Sequence, residues 1–408
     1  MGPDEFFGAL LTAAGRQDPY SLYTAVREHG PVTASDQHPT FLCGGYPEVD
    51  AVLRDKAFGV REPSADLRGP LPEGASEHDT TPSMLFIDPP DHRRLRSLVS
   101  SVFTPRRVAD LEPAVVRMTE ALLNRLERLG AGGEPVDFME QFAFRLPVDV
   151  ICELLGVPEA DRHGFRPLAH ALTVALEPGN GAREIEVSDA SALELAGYFA
   201  ELAERRRREP RGDLVSALVQ VGDARDGRLT DAELLANLIL LLVAGFETTA
   251  NLLGNGLQLG FEHPEFVERV RKGAIPVGAF VDEVLRYDSP AQITSRYALT
   301  DGAAIGGRPI PKDGRVFLLI GSANRDPWRF ADPDAFDPTR LDNAPLSFGA
   351  GIHHCLGHGL ARLEARTVFN RLFSRFPEIA PAGTPERRDR LALRGYATLP
   401  VRLEGGAR

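Results

Sequence analysis

Apolar residues recur three and four positions apart through Asp110–Leu129, Ala192–Arg208, Ala232–Glu262 and Gly359–Arg375, the spacing that gives a helix one buried face. Shorter stretches around Val32–Cys43, Ile293–Ile310, Arg315–Ile320 and Leu391–Leu403 read as strands. The pattern predicts a mainly α protein with small β-sheets. No Pro/Gly/Ser tract or repeat divides it, so residues 1–408 are expected to form one domain. The longest predicted helix has the clearest ends: Thr230 and Glu233 form a capping box, Leu229 and Leu234 a hydrophobic staple, and His263-Pro264 closes it. About thirty residues at 1.5 Å each span roughly 45 Å, enough to cross the molecule. The unbroken apolar run inside it, Leu238–Phe246, is far shorter than the ~20 residues of a membrane span. Glu177–Ala182, rich in Gly and Pro, reads as a lid between helices.

Charge narrows the partners. A formal net charge of −12 argues against nucleic acid, and the one basic run, Arg205–Arg208, sits where cations complement a helix C-terminus, as a solvated end. Met1–Glu5 lacks the basic and apolar regions of a signal peptide, and three scattered cysteines, Cys43, Cys152 and Cys355, suggest no disulfide framework. A cytoplasmic protein with no membrane partner is expected.

Candidate chemistry concentrates in Phe348-Gly349-Ala350-Gly351-Ile352-His353-His354-Cys355-Leu356-Gly357. The helical pattern after Cys355 would aim helix-end amides at its sulfur and lower the thiol pKa. On residue type alone Cys355 could be a buried thiol. With His353, His354 and His358 it could also be a zinc ligand, although no second ligand cluster accompanies it. On the long helix, Ala244-Gly245-Phe246-Glu247-Thr248-Thr249 places an acid and two threonines in an apolar surface, which is costly without partners. Thr248 and Thr249 could bond back to the preceding turn, and Glu247 could be a surface acid. Glu283 and Arg286 stand three apart on one helical face.

These segments together resemble the cytochrome P450 family. The Phe-Gly-x-Gly-x-His-x-Cys-x-Gly run matches its haem-binding signature, Ala244–Thr249 its oxygen-side helix, and Glu283-x-x-Arg286 with Arg340 its structural triad. Asp88-Pro89-Pro90-Asp91-His92-x-x-x-Arg96 matches the opening of its proximal helix. The resemblance, which runs from about Pro19 to Leu403, implies a helical prism enclosing haem b (iron protoporphyrin IX), with Cys355 as the iron ligand. Such a thiolate pushes electron density onto iron and favours O–O cleavage. It further implies that His92, Arg96, Arg296 and His353 hold the haem propionates, and that Phe348, Gly349 and Gly357 shape the ligand loop. By the same carry-over Gly245 makes space for O2, Thr248 orders a water and Glu247 feeds protons. Pocket walls would come from Leu85, Phe86, Leu240, Val243, Ala244, Gln292, Ile293 and Ala397, a mostly apolar set suited to a lipophilic, secondary-metabolite-type substrate. Arg93 and Arg362 match positions that face a redox partner.

The implied activity is that of a soluble bacterial monooxygenase inserting one atom of O2, by hydroxylation or epoxidation, into a small organic molecule. No nucleotide-binding Gly-x-Gly-x-x-Gly follows a strand, so electrons would come from a separate ferredoxin and ferredoxin reductase. The protein is expected to be a monomer. A haem-thiolate enzyme that uses peroxide or catalyses oxidative coupling is the alternative, against which the Glu247-Thr248 pair speaks. A haem sensor would need a signalling domain.

Overall fold

The computed structural model describes residues 1–61, 81–174, 177, 182–223 and 229–404. Asp231–Glu262 is the central helix, and its 32 residues are opened by the predicted box. Thr230 Oγ1 accepts from the Glu233 amide at 3.2 Å, and Glu233 Oε2 from the Thr230 amide at 2.9 Å. The helix packs against Leu146–Leu155, Phe165–Val174, Ala182–Arg208 and His358–Arg375. By length and composition it is the one described helix that could cross a membrane. The unbroken run Leu238–Phe246 understated this, because Asn237 and the single acid Glu247 bound it while Ala250, Leu252, Leu253 and Leu257 continue the apolar surface beyond. Its neighbours here are other helices, and most of its residues are buried among them.

The helix Ala182–Arg208 starts well before the predicted Ala192. Ile185, Val187 and Leu193 are about half exposed and break the apolar period at its start. The Arg205–Arg208 tract is only partly a solvated end. Arg206 is buried, pairs with Asp213 and donates to the Gly156 carbonyl at 2.7 Å, because the chain turns back at once into Leu214–Asp223. Of the predicted lid, Glu177 is described and its carboxylate accepts the Leu391, Ala392 and Leu393 amides at 2.7–3.1 Å. Residues 178–181 lie outside the described residues.

The main sheet runs Thr33–Ala34, Thr40–Cys43, Arg315–Leu319, Ile293–Ala298, Phe58–Gly59. Only the pair Thr40–Cys43 and Arg315–Leu319 is parallel. The β-like stretch Ile293–Ile310 divides into a strand to Ala298 and then a hairpin, Ala304–Ile305 with Arg308–Pro309. It reverses at Gly306 and Gly307, both at positive φ. Pro400–Glu404 joins Val136–Asp137 and Glu378–Pro381 in a three-stranded sheet.

The helix Val277–Tyr287 buries Glu283 and Arg286 completely. Arg286 Nε and Nη2 donate to the two Glu283 oxygens, both at 2.8 Å, and Arg340 Nε reaches Glu283 Oε1 at 3.2 Å. The Asp337 amide and Asn343 Nδ2 also donate to Glu283, at 2.7 and 3.0 Å. Arg286 spends its remaining N–H groups on the carbonyls of Asn324, Pro333 and Ala335. Asn324 then holds Leu346 and Ser347 through its side-chain amide, while Ser347 donates to the Leu285 carbonyl at 2.6 Å. The network thus fixes the chain immediately before Phe348.

Candidate active site

From that anchored point the chain makes a loop closed by the Cys355 amide on the Phe348 carbonyl at 2.9 Å. Gly349 and Gly351 both take φ +67, a left-handed conformation that favours glycine, and a Cβ on Gly351 would lie 2.2 Å from the Leu53 carbonyl oxygen. A Cβ on Gly357 would sit 4.0 Å from the thiol sulfur. Phe348 is half-buried under the Arg362 guanidinium, 4.5 Å from its ring centre.

The following helix is His358–Arg375, capped by Gly357, so it begins three residues beyond the cysteine rather than at it. The expected lowering of the Cys355 pKa is not what results. Burial pushes the thiol up, opposed by the Gly357 amide, Arg96, Arg362 and the His358 amide. Retaining the thiolate therefore calls for a cation at the sulfur. The zinc alternative has no support: no group of three or more His, Cys, Asp or Glu is placed to hold a metal ion among the described residues. The histidines instead pair with one another, His353 against His92 with ring centres 4.1 Å apart and His354 against His358 at 5.0 Å.

Four basic side chains meet beside this loop. His92 and Arg96 lie on Asp91–Val102, Arg296 on Ile293–Ala298, and His353 in the loop itself. His92 Nδ1 and His353 Nε2 are buried without a hydrogen-bond partner. Arg296, 7% exposed, donates only within its own strand, to the Ser295 carbonyl and Thr294 Oγ1, and burial lowers its pKa to about 10 against the pull of Asp88. Burial, then His92, Arg296 and Arg96, drive His353 down to about 3. Buried cations and orphaned ring nitrogens are costly without an anionic partner. The set therefore suits a ligand with two carboxylates, lying against a thiol and a glycine-lined loop. Asp91–Val102 also ties this side to the central helix: Arg96 Nη2 donates to the His354 carbonyl at 2.6 Å, and Arg94 makes a two-pronged pair with Glu233.

The central helix leaves one stripe incompletely covered, Ala236, Leu240, Ala244 and Thr248, with Gly245 beside it. A Cβ on Gly245 would touch only Ile151, at 3.9 Å. Thr248 Oγ1 donates to the Ala244 carbonyl at 2.8 Å, the back-bond its type allows. Glu247 turns the other way and is fully buried, so neither a surface acid nor a direct contact with solvent describes it. Its Oε2 accepts from Thr173 Oγ1, and its Oε1 lies 2.7 Å from Arg388 Nη1 without a hydrogen-bonding angle. Arg388 Nη2 in turn lies 2.9 Å from Nδ1 of the exposed His170. Sequence reasoning missed Arg388 and Thr173. A buried acid announces that it has a partner, not which one.

Leu85 and Phe86, in the turn Met84–Phe86, are 39% and 48% exposed, Ala397 is exposed, and Leu240 and Ile293 are half-buried. Val243 stands on the flank of the stripe, packed in the helical core. Gln292 departs from its expected place in the wall. It is 1% exposed, its Oε1 accepts from Tyr23 Oη at 3.0 Å and its Nε2 donates to the Ser289 carbonyl at 2.7 Å, because a buried amide satisfies both ends and the helix Tyr20–His29 offers the partner.

The family described as Cytochrome P450 matches residues 190–274 and 277–402. A biotin biosynthesis cytochrome P450 of Bacillus subtilis is 37% identical over 396 residues, 95% of this chain and 97% of that one. The 6-deoxyerythronolide B hydroxylase of Saccharopolyspora erythraea is 39% identical over 401 residues, 95% and 96% of the two chains. The crystal structure of P450BioI with a hexadec-9Z-enoic acid-ligated acyl carrier protein superposes with a TM-score of 0.87 at 35% identity, covering 96% of this chain and all of that one. The chain belongs to the cytochrome P450 family, an oxidoreductase of the monooxygenase type that binds haem b.

Proposed function

We propose that the protein inserts one oxygen atom from O2 into a lipophilic, secondary-metabolite-type substrate, as a cytoplasmic monomer with one haem-binding domain, taking electrons from a ferredoxin and its reductase. The observation that carries this reading is the uncovered stripe Leu240-Ala244-Thr248 on an otherwise buried helix, to which the turn bearing the exposed Leu85 and Phe86 is bonded at Asn237. Haem b, when bound, supplies the activation of dioxygen.

The residues divide the remaining work. Cys355 would ligate the iron, with Phe348, Gly349 and Gly357 shaping the loop around its sulfur. Arg96 and Arg296 would neutralise the two propionates and His92 and His353 would hydrogen-bond them, which would give the unpaired ring nitrogens partners. Gly245 leaves room beside the stripe. The Thr248 hydroxyl, held by the Ala244 carbonyl, orients a water, and Glu247 exchanges protons with it through a carboxylate held by Thr173 and Arg388. Leu85, Phe86, Leu240, Val243, Ala244, Ile293 and Ala397 form the wall, and its apolar character selects lipophilic molecules. Relatives named for biotin biosynthesis and for hydroxylation of 6-deoxyerythronolide B fit substrates of this kind.

A panel of lipophilic acids, steroids and macrolactones, screened for conversion of the haem from low to high spin, tests the substrate class. A hit should then support NADH oxidation that requires both O2 and the substrate in the presence of a ferredoxin and reductase. NADH-independent turnover with peroxide, at a comparable rate, would replace this reading by the peroxide-using alternative.

A further inference from the structure

Asn237 is a polar residue in the most apolar part of the central helix and is 1% exposed. Both ends of its amide are used. Nδ2 donates to the Glu233 carbonyl at 2.7 Å, which fixes the side-chain rotamer against its own helix. Oδ1 is thereby left facing outward and accepts from the Met84 amide at 3.2 Å. Met84 opens the short turn Met84–Phe86, whose next two side chains are the large apolar ones that protein atoms leave uncovered, Leu85 and Phe86.

The placement of Asn237 on its helix gives this bond its meaning. Glu233, Asn237, Leu240, Ala244 and Thr248 follow at intervals of four, three, four and four, so they share one face. The turn is therefore bonded to the face that carries the uncovered stripe, one turn away from Leu240. Glu233 adds a second tie on the same face through Arg94, on the helix that follows the turn. Among the described residues, no strand or ion pair holds residues 84–86 themselves. Their one hydrogen bond to the central helix, among the described residues, is the one to the Asn237 amide.

We propose that Asn237 is a specificity-positioning residue: its amide sets the separation between the Leu85-Phe86 turn and the Leu240-Ala244 wall, and so the size and shape of substrate admitted. The inference rests on the pocket assignment given under Proposed function. It assigns to Asn237 no contact with substrate. Leucine at this position has similar volume but no polar group, leaves the Met84 amide without its acceptor, and frees the turn to shift.

The test compares two haem ligands in holoenzyme by spectral titration. Imidazole needs only access to the iron, whereas 4-phenylimidazole must also fit its ring between the walls. Asn237→Leu should weaken 4-phenylimidazole by about tenfold while imidazole stays within about twofold. Equal affinities in the leucine variant and the wild type, or a parallel loss for both ligands, would overturn the inference. A Leu85→Ala/Phe86→Ala variant separates the two levels. If it loses 4-phenylimidazole while Asn237→Leu does not, the wall stands and Asn237 is merely structural. If it leaves 4-phenylimidazole untouched, the wall assignment falls and takes the inference with it.

Discussion

At the scale of single residues, the groups that the sequence exposes are those whose chemistry is local. Cys355 with its glycines, Thr248 over the Ala244 carbonyl, and Glu283 with Arg286 are separated by few positions, so a short pattern contains both partners. Arg388, Thr173 and Asn237 act through partners dozens of positions or more away, and no spacing rule reaches that far. Gln292 failed for the same reason: Tyr23, which claims it, lies at the other end of the chain. The Glu247–Arg388 pair gives a test at this scale. Both groups are buried, so Arg388→Met strands a carboxylate and should cost about 3–5 kcal/mol in urea unfolding. Glu247→Gln added to that variant removes the stranded charge and should restore a large share of the loss. Strict additivity of the two single changes would mean that the groups do not act as a pair. Turnover supplies the second readout, since the stabilised double variant should still divert NADH electrons into peroxide for lack of the acid.

At the scale of elements, long amphipathic helices were legible and their ends less so. The capping box placed the start of the central helix correctly because two reciprocal bonds define it. Ala182 was missed because the first turns of that helix carry apolar groups on their exposed face. The short strands were legible as a class, while their grouping into sheets was not, because Thr40–Cys43 pairs with Arg315–Leu319 across most of the chain. The element that most constrains the active site is the helix Val277–Tyr287, through the network from Glu283 to Ser347. Arg286→Ala leaves Glu283 buried without its strongest partner and frees the Asn324, Pro333 and Ala335 carbonyls. The expected loss of about 3–5 kcal/mol is a large part of a domain's net stability. Since these bonds fix the segment before Phe348, the variant should accumulate as apo or insoluble protein. Wild-type haem content and melting temperature in soluble Arg286→Ala would reduce the network to a dispensable ion pair.

At the scale of the whole molecule, charge is the property that the sequence gives only as a sum. Asp288 shows what the sum hides. Burial works to raise its pKa, but Arg387 and Arg394, with the Tyr20 hydroxyl, overcome this and hold it well below the usual carboxylate range. Arg394 also donates to the Arg16 and Gln17 carbonyls, so one carboxylate fastens the N-terminal helices to the C-terminal segment. A depressed pKa contributes stability that is fully present above the unfolded value of about 4 and disappears as pH falls through the folded one. Asp288→Asn should therefore be clearly less stable than wild type near neutrality, and the gap should close below about pH 4. A gap in urea midpoint that stays constant through that window would remove Asp288 from the acid response. The same distinction between total and local charge decides how an electron donor docks. With a net charge of −12, the protein repels an acidic ferredoxin at long range, so encounter depends on a local basic face. Arg362 is a weaker candidate than its position suggests: it pairs with Asp282 at 2.8 Å and lies flat over Phe348, so much of its field is cancelled. Arg93 is exposed on the helix that carries His92 and Arg96. Arg93→Glu should slow the first electron transfer at low salt, where the Debye length is near 30 Å, and have little effect at about 1 M, where it is near 3 Å. Stopped-flow reduction by a ferredoxin reads this directly, with the substrate-induced spin shift as the control that the haem pocket is intact. Arg362→Met should leave most of the salt dependence in place. If Arg93→Glu follows the wild-type rate at both ionic strengths, the donor docks away from this helix.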